Sequence, residues 1–243
     1  MNGPLKQPSL TILIPVFNEE ATLASLLDAV EEQAGIVSEI VIVDDASTDS
    51  TAQVLESHVA KIPTTIVHHP KNKGKGAAIR TGIQHATCEY LLIQDADLEY
   101  TPGDYAKLLE PVVSGRAQVV YGTRSFGGHA AFSFWFVMGN RAVTLATNVL
   151  FNAYITDMET CFKLLPLKMW RGLDLRANRF GVEPEVTGKL LARGERIFEV
   201  PISYSARTRT EGKKLTWTDG LKALGVLLAV RTGTWNRVSR KGL

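Results

Sequence analysis

Four short runs of aliphatic and β-branched residues recur along the first half of the chain: 10–16 (LTILIPV), 39–45 (EIVIVDD), 64–69 (TTIVHH) and 90–97 (YLLIQDAD). Each is mostly apolar on both faces, as a strand of a parallel sheet covered on both sides must be, and each gives way to polar or charged residues. The intervening segments carry helical spacing. Leu23, Leu26, Leu27, Val30 and Ala34 form one apolar stripe, with Asn18 expected as the N-cap and Glu19 and Glu20 as an acidic first turn. Further helices are expected after the Ser/Thr/Asp turn that begins at Asp45 and over GKGAAIRTGIQHA (74–86). Strands alternating with helices, joined by right-handed crossovers, predict an α/β chain with a doubly wound parallel sheet and ligands at the carboxyl ends of its strands.

The second half reads differently. QVVYGTR (118–124) is a fifth strand, and a Gly-punctuated loop then leads into an amphipathic helix with Phe132, Trp135, Phe136, Val143 and Leu150 broadly on one side. EPEVTGKLLARG (183–194) predicts a helix ended by Gly194, RIFEVPISY (196–204) a strand, and TDGLKALGVLLAVR (218–231) a last amphipathic helix. Without a repeat, linker or low-complexity tract, the 243 residues are expected to form one domain around one core. Cys88 and Cys161 lie outside any CxxC pattern, which argues against a disulfide framework or a zinc site. The N-terminal stretch lacks the charged lead and long apolar core of a signal peptide, and no window reaches the ~18 apolar residues of a membrane span. A cytoplasmic location is therefore expected. The net charge is +2, but the last part is basic in SARTRTEGKK and RTGTWNRVSRKGL, which favours an anionic partner, phosphate or membrane surface. Nucleic acid is not among the expected partners. Trp135, Trp217 and Trp235, with Arg and Lys nearby, suit a chain lying on an anionic membrane; ordinary packing is the competing reading and is preferred for the last helix.

The polar strand ends carry the chemistry. In LLIQDADLEY, alternation along an extended chain sends Asp95, Asp97 and Glu99 to one side, so at least two carboxylates face one point. Like charges so close repel unless a cation holds them ionised, and oxygen ligands without His or Cys favour Mg²⁺ or Mn²⁺ shared with a substrate's diphosphate. A merely solvated acidic turn is the alternative. In VDDASTDST, Asp44 and Asp45 are placed to accept hydrogen bonds from a base or ribose, whereas Ser47, Thr48 and Asp49 read better as caps. KNKGKGAAIRTG offers Gly74 and Gly76 for close backbone approach at a helix start and Lys73, Lys75 and Arg80 for charge, which suits phosphate, although such glycines also serve plain turns. His68 and His69 have no partner acid identifiable in the sequence and are expected to be structural. The first strand is followed by PVFNEE rather than GxGxxG, GxxxxGK[ST] or a Gly-rich loop ending in Arg, which argues against a dehydrogenase, a P-loop enzyme and a nucleotidyltransferase.

Taken in order, TILIPVFNEEATL, IVIVDDASTDST, NKGKGAAIRTG and LLIQDADLEYTP resemble the family 2 inverting glycosyltransferases of the GT-A fold. TDMETCFKLLP, GVEPEVTGKLLARG and EVPISYSARTRTEGKKLTWTDGLKAL are similar to the branch of dolichyl- and polyprenyl-phosphate mannose and glucose synthases. The resemblance runs from about residue 9 to about residue 230. It implies a nucleotide-sugar-binding half (8–125) and an acceptor-binding half (126–243), a nucleotide-sugar donor, a polyprenyl-phosphate acceptor and a peripheral position on a membrane. It implies that Pro15, Phe17, Glu19 and Asp45, with Asp44 beside them, line the nucleoside pocket. Asp95, Ala96 and Asp97 become the DxD motif, with Asp95, Asp97 and Glu99 as the metal set. The mannose synthases usually carry Gln at the position of Glu99. Arg124, Arg141, Arg207 and Arg209 match arginines that take the acceptor phosphate. An acceptor hydroxyl would instead need a base, for which Asp157 is the candidate, with a helix or turn cap as its competing role. Glu183 and Glu185 are expected outside the site.

Overall fold

The structure is a computed structural model that describes residues 7–125, 134–206 and 217–235, without the side chains of Trp135, Phe136, Trp217, Thr218 and Asp219. Seven strands, β1 (Leu10–Val16), β2 (Glu39–Asp44), β3 (Thr64–His68), β4 (Tyr90–Ile93), β5 (Val119–Thr123), β6 (Lys163–Pro166) and β7 (Ile197–Pro201), form one sheet in the order β3-β2-β1-β4-β6-β5-β7. All pairings are parallel except those of β6, which runs antiparallel to β4 and β5. The chain winds outward from β1 through β2 to β3 and then crosses back to β4 on the other side of β1. That reversal opens a crevice at the carboxyl ends of β1 and β4, where open α/β sheets bind ligands.

The helices are α1 (Leu23–Glu31), α2 (Thr51–Ser57), α3 (Lys75–His85), α4 (Tyr105–Val113), α5 (Phe134–Phe151), α6 (Leu167–Gly172), α7 (Val182–Ala192) and α8 (Trp217–Arg231). Strand β2 is buried along its whole length and β1 at all but Pro15, as their two-sided apolar pattern requires. Strand β3 lies at the sheet's edge, and Ile66 is exposed there despite its β-branched run. Helix α3 sits so close on β1 that a Cβ at Gly82 would come within 2.0 Å of Leu13 Cδ1. Helices α5 and α8 pack on each other around Val143, Ala223 and Leu227, and α8 also packs on α7.

Several local expectations change in three dimensions. Helix α1 begins at Leu23, so Asn18 is not its cap; it adopts a left-handed φ of 55°, and its Oδ1 accepts the Thr48 N–H at 2.8 Å. Ala34 falls beyond the helix. Strand β4 stops at Ile93, so Asp95, Asp97 and Glu99 stand on a turn rather than on an extended chain, with Leu98 at φ 57°. Strand β6 and helices α4 and α6 carry no early signal. β6 has only four residues, too few to display a period, and it begins with the buried Lys163.

Candidate active site

The acidic turn after β4 is braced from three sides. Gln94, fully buried, donates to the carbonyls of Asp95 at 2.9 Å and Tyr100 at 3.3 Å, and accepts from the Tyr105 hydroxyl at 2.8 Å. Thr22 Oγ1, just ahead of α1, donates to the Ala96 carbonyl at 2.8 Å and lies 3.0 Å from a Glu19 carboxylate oxygen. The Glu99 N–H donates to Asp97 Oδ1 at 3.2 Å. The third brace is an ionic bridge. Lys75 Nζ, at the first position of α3, lies 2.7 and 3.0 Å from the two Asp95 carboxylate oxygens and 2.8 Å from Glu183 Oε1 at the start of α7. Burial opposes the Lys75 charge, but the two carboxylates more than offset it and raise its pKa well above the ordinary value. Glu183 Oε2 is buried without a hydrogen-bond partner. Glu183 thus stands beside the turn that carries Asp95, through their shared partner Lys75; the contact joins residues 75 and 183 across the fold, beyond the reach of local pattern.

On the other side of β1, Asp45 is buried and organises the Lys/Gly loop. Its carboxylate accepts the N–H groups of Lys73 at 2.9 Å and Gly74 at 2.6 Å and meets His69 Nδ1 at 2.6 Å, while His69 Nε2 reaches Thr81 Oγ1 at 2.9 Å. Asp44 accepts the Ser47 N–H at 3.0 Å and faces His68 Nδ1 at 3.0 Å. Burial raises the Asp44 pKa, yet the hydrogen bonds from Ser47 and His68 outweigh it and hold the group below its usual value. Both histidines therefore have acid partners that the sequence did not reveal. Pro15, Phe17 and Glu19 are part-exposed at the end of β1 and just after it. The side chain of Lys73 is exposed. Gly76 has a different neighbour from the phosphate its sequence suggests: a Cβ there would meet the Ala177 carbonyl oxygen at 2.2 Å. Glu185 anchors that covering segment by accepting the N–H groups of Arg176 and Ala177, and it also takes the Trp235 indole N–H at 2.6 Å. Trp235 is accordingly a buried packing residue and not a membrane-facing one.

Across the crevice, Arg124 follows β5. Its Nε and Nη2 donate to the two oxygens of the fully buried Asp157 at 2.6 and 2.7 Å, and its backbone N–H adds a third bond at 3.1 Å. Asn140 Nδ2 reaches the same carboxylate at 3.2 Å. Burial pushes the Asp157 pKa up, but the guanidinium and these hydrogen bonds win and leave it lowered. Arg141 is exposed on α5, one residue beyond Asn140. Arg207 and Arg209, with Lys213 and Lys214, lie outside the described residues.

Residues 11–165 match the family model described as glycosyl transferase family 2. The chain belongs to this family. This family 2 glycosyltransferase is 26% identical over 209 residues to the dolichol-phosphate mannosyltransferase of Pyrococcus furiosus, covering 84% of the chain and 58% of that relative, little more than half its length. It is 29% identical over 216 residues to the undecaprenyl-phosphate mannosyltransferase of Micrococcus luteus, covering 83% and 85%. Its fold is that of glucosyl-3-phosphoglycerate synthase from Mycobacterium tuberculosis, crystallised with Mn²⁺ and UDP, at a TM-score of 0.70 and 18% identity over 94% of this chain and 80% of that one. The fold is GT-A.

Among the described residues of this glycosyltransferase, no three His, Cys, Asp or Glu side chains converge on one point, so Asp95, Asp97 and Glu99 do not make a closed cage. An open arrangement still fits Mg²⁺ or Mn²⁺, because such ions keep waters, share a substrate's phosphates and need only one or two carboxylates. Asp97 and Asp95 sit part-exposed on the turn, which suits that role.

Glu159, two residues beyond Asp157, carries no signal in the sequence. Burial and the neighbouring Glu183 carboxylate push its pKa up to about 7. The folded state therefore favours the protonated acid. Stability from this group is fully present below the unfolded carboxyl pKa and is lost as pH rises through about 7. Glu159→Gln, which imitates the protonated form, is expected to gain stability over the parent from pH 5 to pH 8. Urea midpoints at the two pH values check this, and a gap that shrinks toward pH 8 contradicts it.

Proposed function

We propose that this glycosyltransferase moves a hexose from a nucleotide sugar, of the GDP-mannose or UDP-glucose type, to a polyprenyl or dolichyl phosphate with inversion at the anomeric carbon. The observation that carries the acceptor class is the Arg124–Asp157 pair. Asp157, the acid available for deprotonating an acceptor hydroxyl, is fully buried, bound by a guanidinium on both oxygens and depressed in pKa, which makes it a weak base. A phosphate acceptor needs no base, since its oxygen is already ionised, and the arginine then offers charge-assisted hydrogen bonds that orient it. In this reading Asp157 positions Arg124, and Arg141 adds positive charge on the acceptor side.

On the donor side, Asp44 and Asp45 shape the nucleoside pocket with Pro15, Phe17 and Glu19, and Lys73 borders the diphosphate. Asp97, with Asp95, would hold Mg²⁺ or Mn²⁺, which supplies Lewis-acid stabilisation of the departing diphosphate when bound. Lys75, itself bridged to Glu183, holds the Asp95 carboxylate in place. The similarity to mannosyltransferases named for dolichol phosphate and undecaprenyl phosphate supports the lipid-phosphate acceptor.

A membrane-surface position agrees with the outer faces of α5 and α8. Phe134, Met138, Leu145 and Val149 are exposed at helical spacing along α5, as are Leu221 and Leu228 on α8, with Arg141, Lys222 and Arg231 exposed on the same two helices. No described helix is long and apolar enough to cross a membrane.

A thermal-shift panel of GDP, UDP and their sugars with Mn²⁺ should give stabilisation by one nucleotide class. Transfer to detergent-solubilised undecaprenyl phosphate should follow with the matching sugar. Arg124→Lys keeps a cation but loses the two-pronged donor, so it should raise the acceptor KM at least tenfold while nucleotide binding stays close to parental. Transfer to a glycolipid hydroxyl with none to the lipid phosphate sinks the proposal.

A further inference from the structure

Glu99, the third acid of the turn, points to a connection between the two halves of the site. Its carboxylate Oε2 accepts the Tyr204 hydroxyl at 2.5 Å, and its backbone carbonyl accepts the Ser205 N–H at 3.0 Å. An isolated antiparallel bridge joins Tyr100 to Tyr204, whose rings meet edge-on with centroids 5.2 Å apart. The opposite neighbour of Tyr204 is Arg124, whose guanidinium carbon lies 5.0 Å from the centre of the Tyr204 ring. Tyr204 is buried and stands three residues before Arg207. One phenol thus touches the acid turn through its hydroxyl and the acceptor-side arginine through its ring face.

These contacts fix geometry at both ends. The Glu99 N–H that donates to Asp97 Oδ1 belongs to the same residue whose carboxylate takes the Tyr204 hydroxyl and whose carbonyl takes the Ser205 N–H, so one short peptide sets both the Asp97 carboxylate and residues 204–205. Arg124 is gripped by Asp157 along the edge of its guanidinium, and it also lies over the Tyr204 ring. We infer that Tyr204 is a positioning residue that ties the donor-side acid turn to Arg124, and that Glu99 serves as its anchor rather than as a metal ligand. The inference rests on the reading of Arg124 as the acceptor-phosphate arginine. It gives Glu99 a purpose that metal chemistry alone does not: a carboxylate accepts a phenol proton more strongly than a neutral amide does, and so holds the ring at a fixed distance from the arginine.

Four variants test it, with undecaprenyl phosphate as acceptor and the sugar nucleotide that stabilises the parent as donor. Tyr204→Phe keeps the ring over Arg124 but drops the hydroxyl, and it should raise the acceptor KM about tenfold, the scale of one charge-assisted hydrogen bond. The Mn²⁺ concentration for half-maximal activity and the dissociation constant for the nucleoside diphosphate should stay within about twofold of the parent. Glu99→Ala should reproduce the Tyr204→Phe effect, the double variant should be no worse than either alone, and Glu99→Gln should recover most of what Ala loses because its amide oxygen still accepts the phenol. A Glu99→Ala protein whose Mn²⁺ requirement rises tenfold or more overturns the inference in favour of metal ligation. Parental acceptor KM in Tyr204→Phe also overturns it, provided Arg124→Lys raises that KM. If Arg124→Lys leaves the KM unchanged as well, the acceptor reading has failed and takes the inference with it.

Discussion

Replacing Arg124 with Ala is expected to cost about 3–5 kcal/mol of stability, the usual penalty for stranding one member of a buried ion pair. Asp157 is fully buried, and two of its hydrogen bonds come from the Arg124 guanidinium; the alanine variant keeps the backbone N–H of residue 124 and Asn140 as donors but loses the guanidinium charge. Adding Asp157→Asn to Arg124→Ala should return most of the loss, because a neutral amide no longer carries an uncompensated charge. Activity should not return with it. The two results separate folding from chemistry: urea unfolding of the four corners of the cycle reports the coupling, and acceptor kinetics on the same proteins report the lost phosphate contact. A double variant no more stable than Arg124→Ala would show that the pair does not govern stability at this place.

Asp97→Asn is expected to lower turnover about 10²–10³-fold, the scale seen when one group stabilising developing charge is removed from a preorganised site. The substitution keeps the shape of the side chain and an oxygen able to accept the Glu99 N–H, so the turn and the thermal midpoint should hold. What it removes is charge, and the half-saturating Mn²⁺ concentration should rise. Asp95→Asn provides the contrast. It leaves Lys75 with Glu183 as its remaining partner, so its effect should include lost stability as well as lost rate. Turnover in Asp97→Asn above a tenth of the parental value would remove Asp97 from the donor site.

Much of the first half of the chain was legible because its information is local. The two-sided apolar run at 10–16 is a strand at those residues and the run at 39–45 is one over Glu39–Asp44, and the polar residues after them stand at the carboxyl edge, as a parallel sheet requires. The acidic turn differs from its local pattern: alternation predicts the acids on one side of an extended chain, whereas β4 ends at Ile93 and a left-handed Leu98 shapes the turn. Gly76 shows the opposite failure. The residue type rightly signals close approach, but the approaching atom is the carbonyl of Ala177, a hundred residues away in sequence.

Residue order alone thus settled the alternation of strands and helices as far as β4 and the edge of the sheet on which the polar residues after β1 and β2 stand, since hydrophobic period and turn chemistry act over a few residues. Tertiary structure decided the partnerships. Lys75 with Asp95 and Glu183, Arg124 with Asp157, the histidines with Asp44 and Asp45, and Tyr204 with Glu99 and Arg124 all join segments far apart in the chain. A buried charge must find its counter-charge in space, and burial together with that counter-charge sets whether the group remains ionised and which way it points. Neither quantity has a period that a sequence can display.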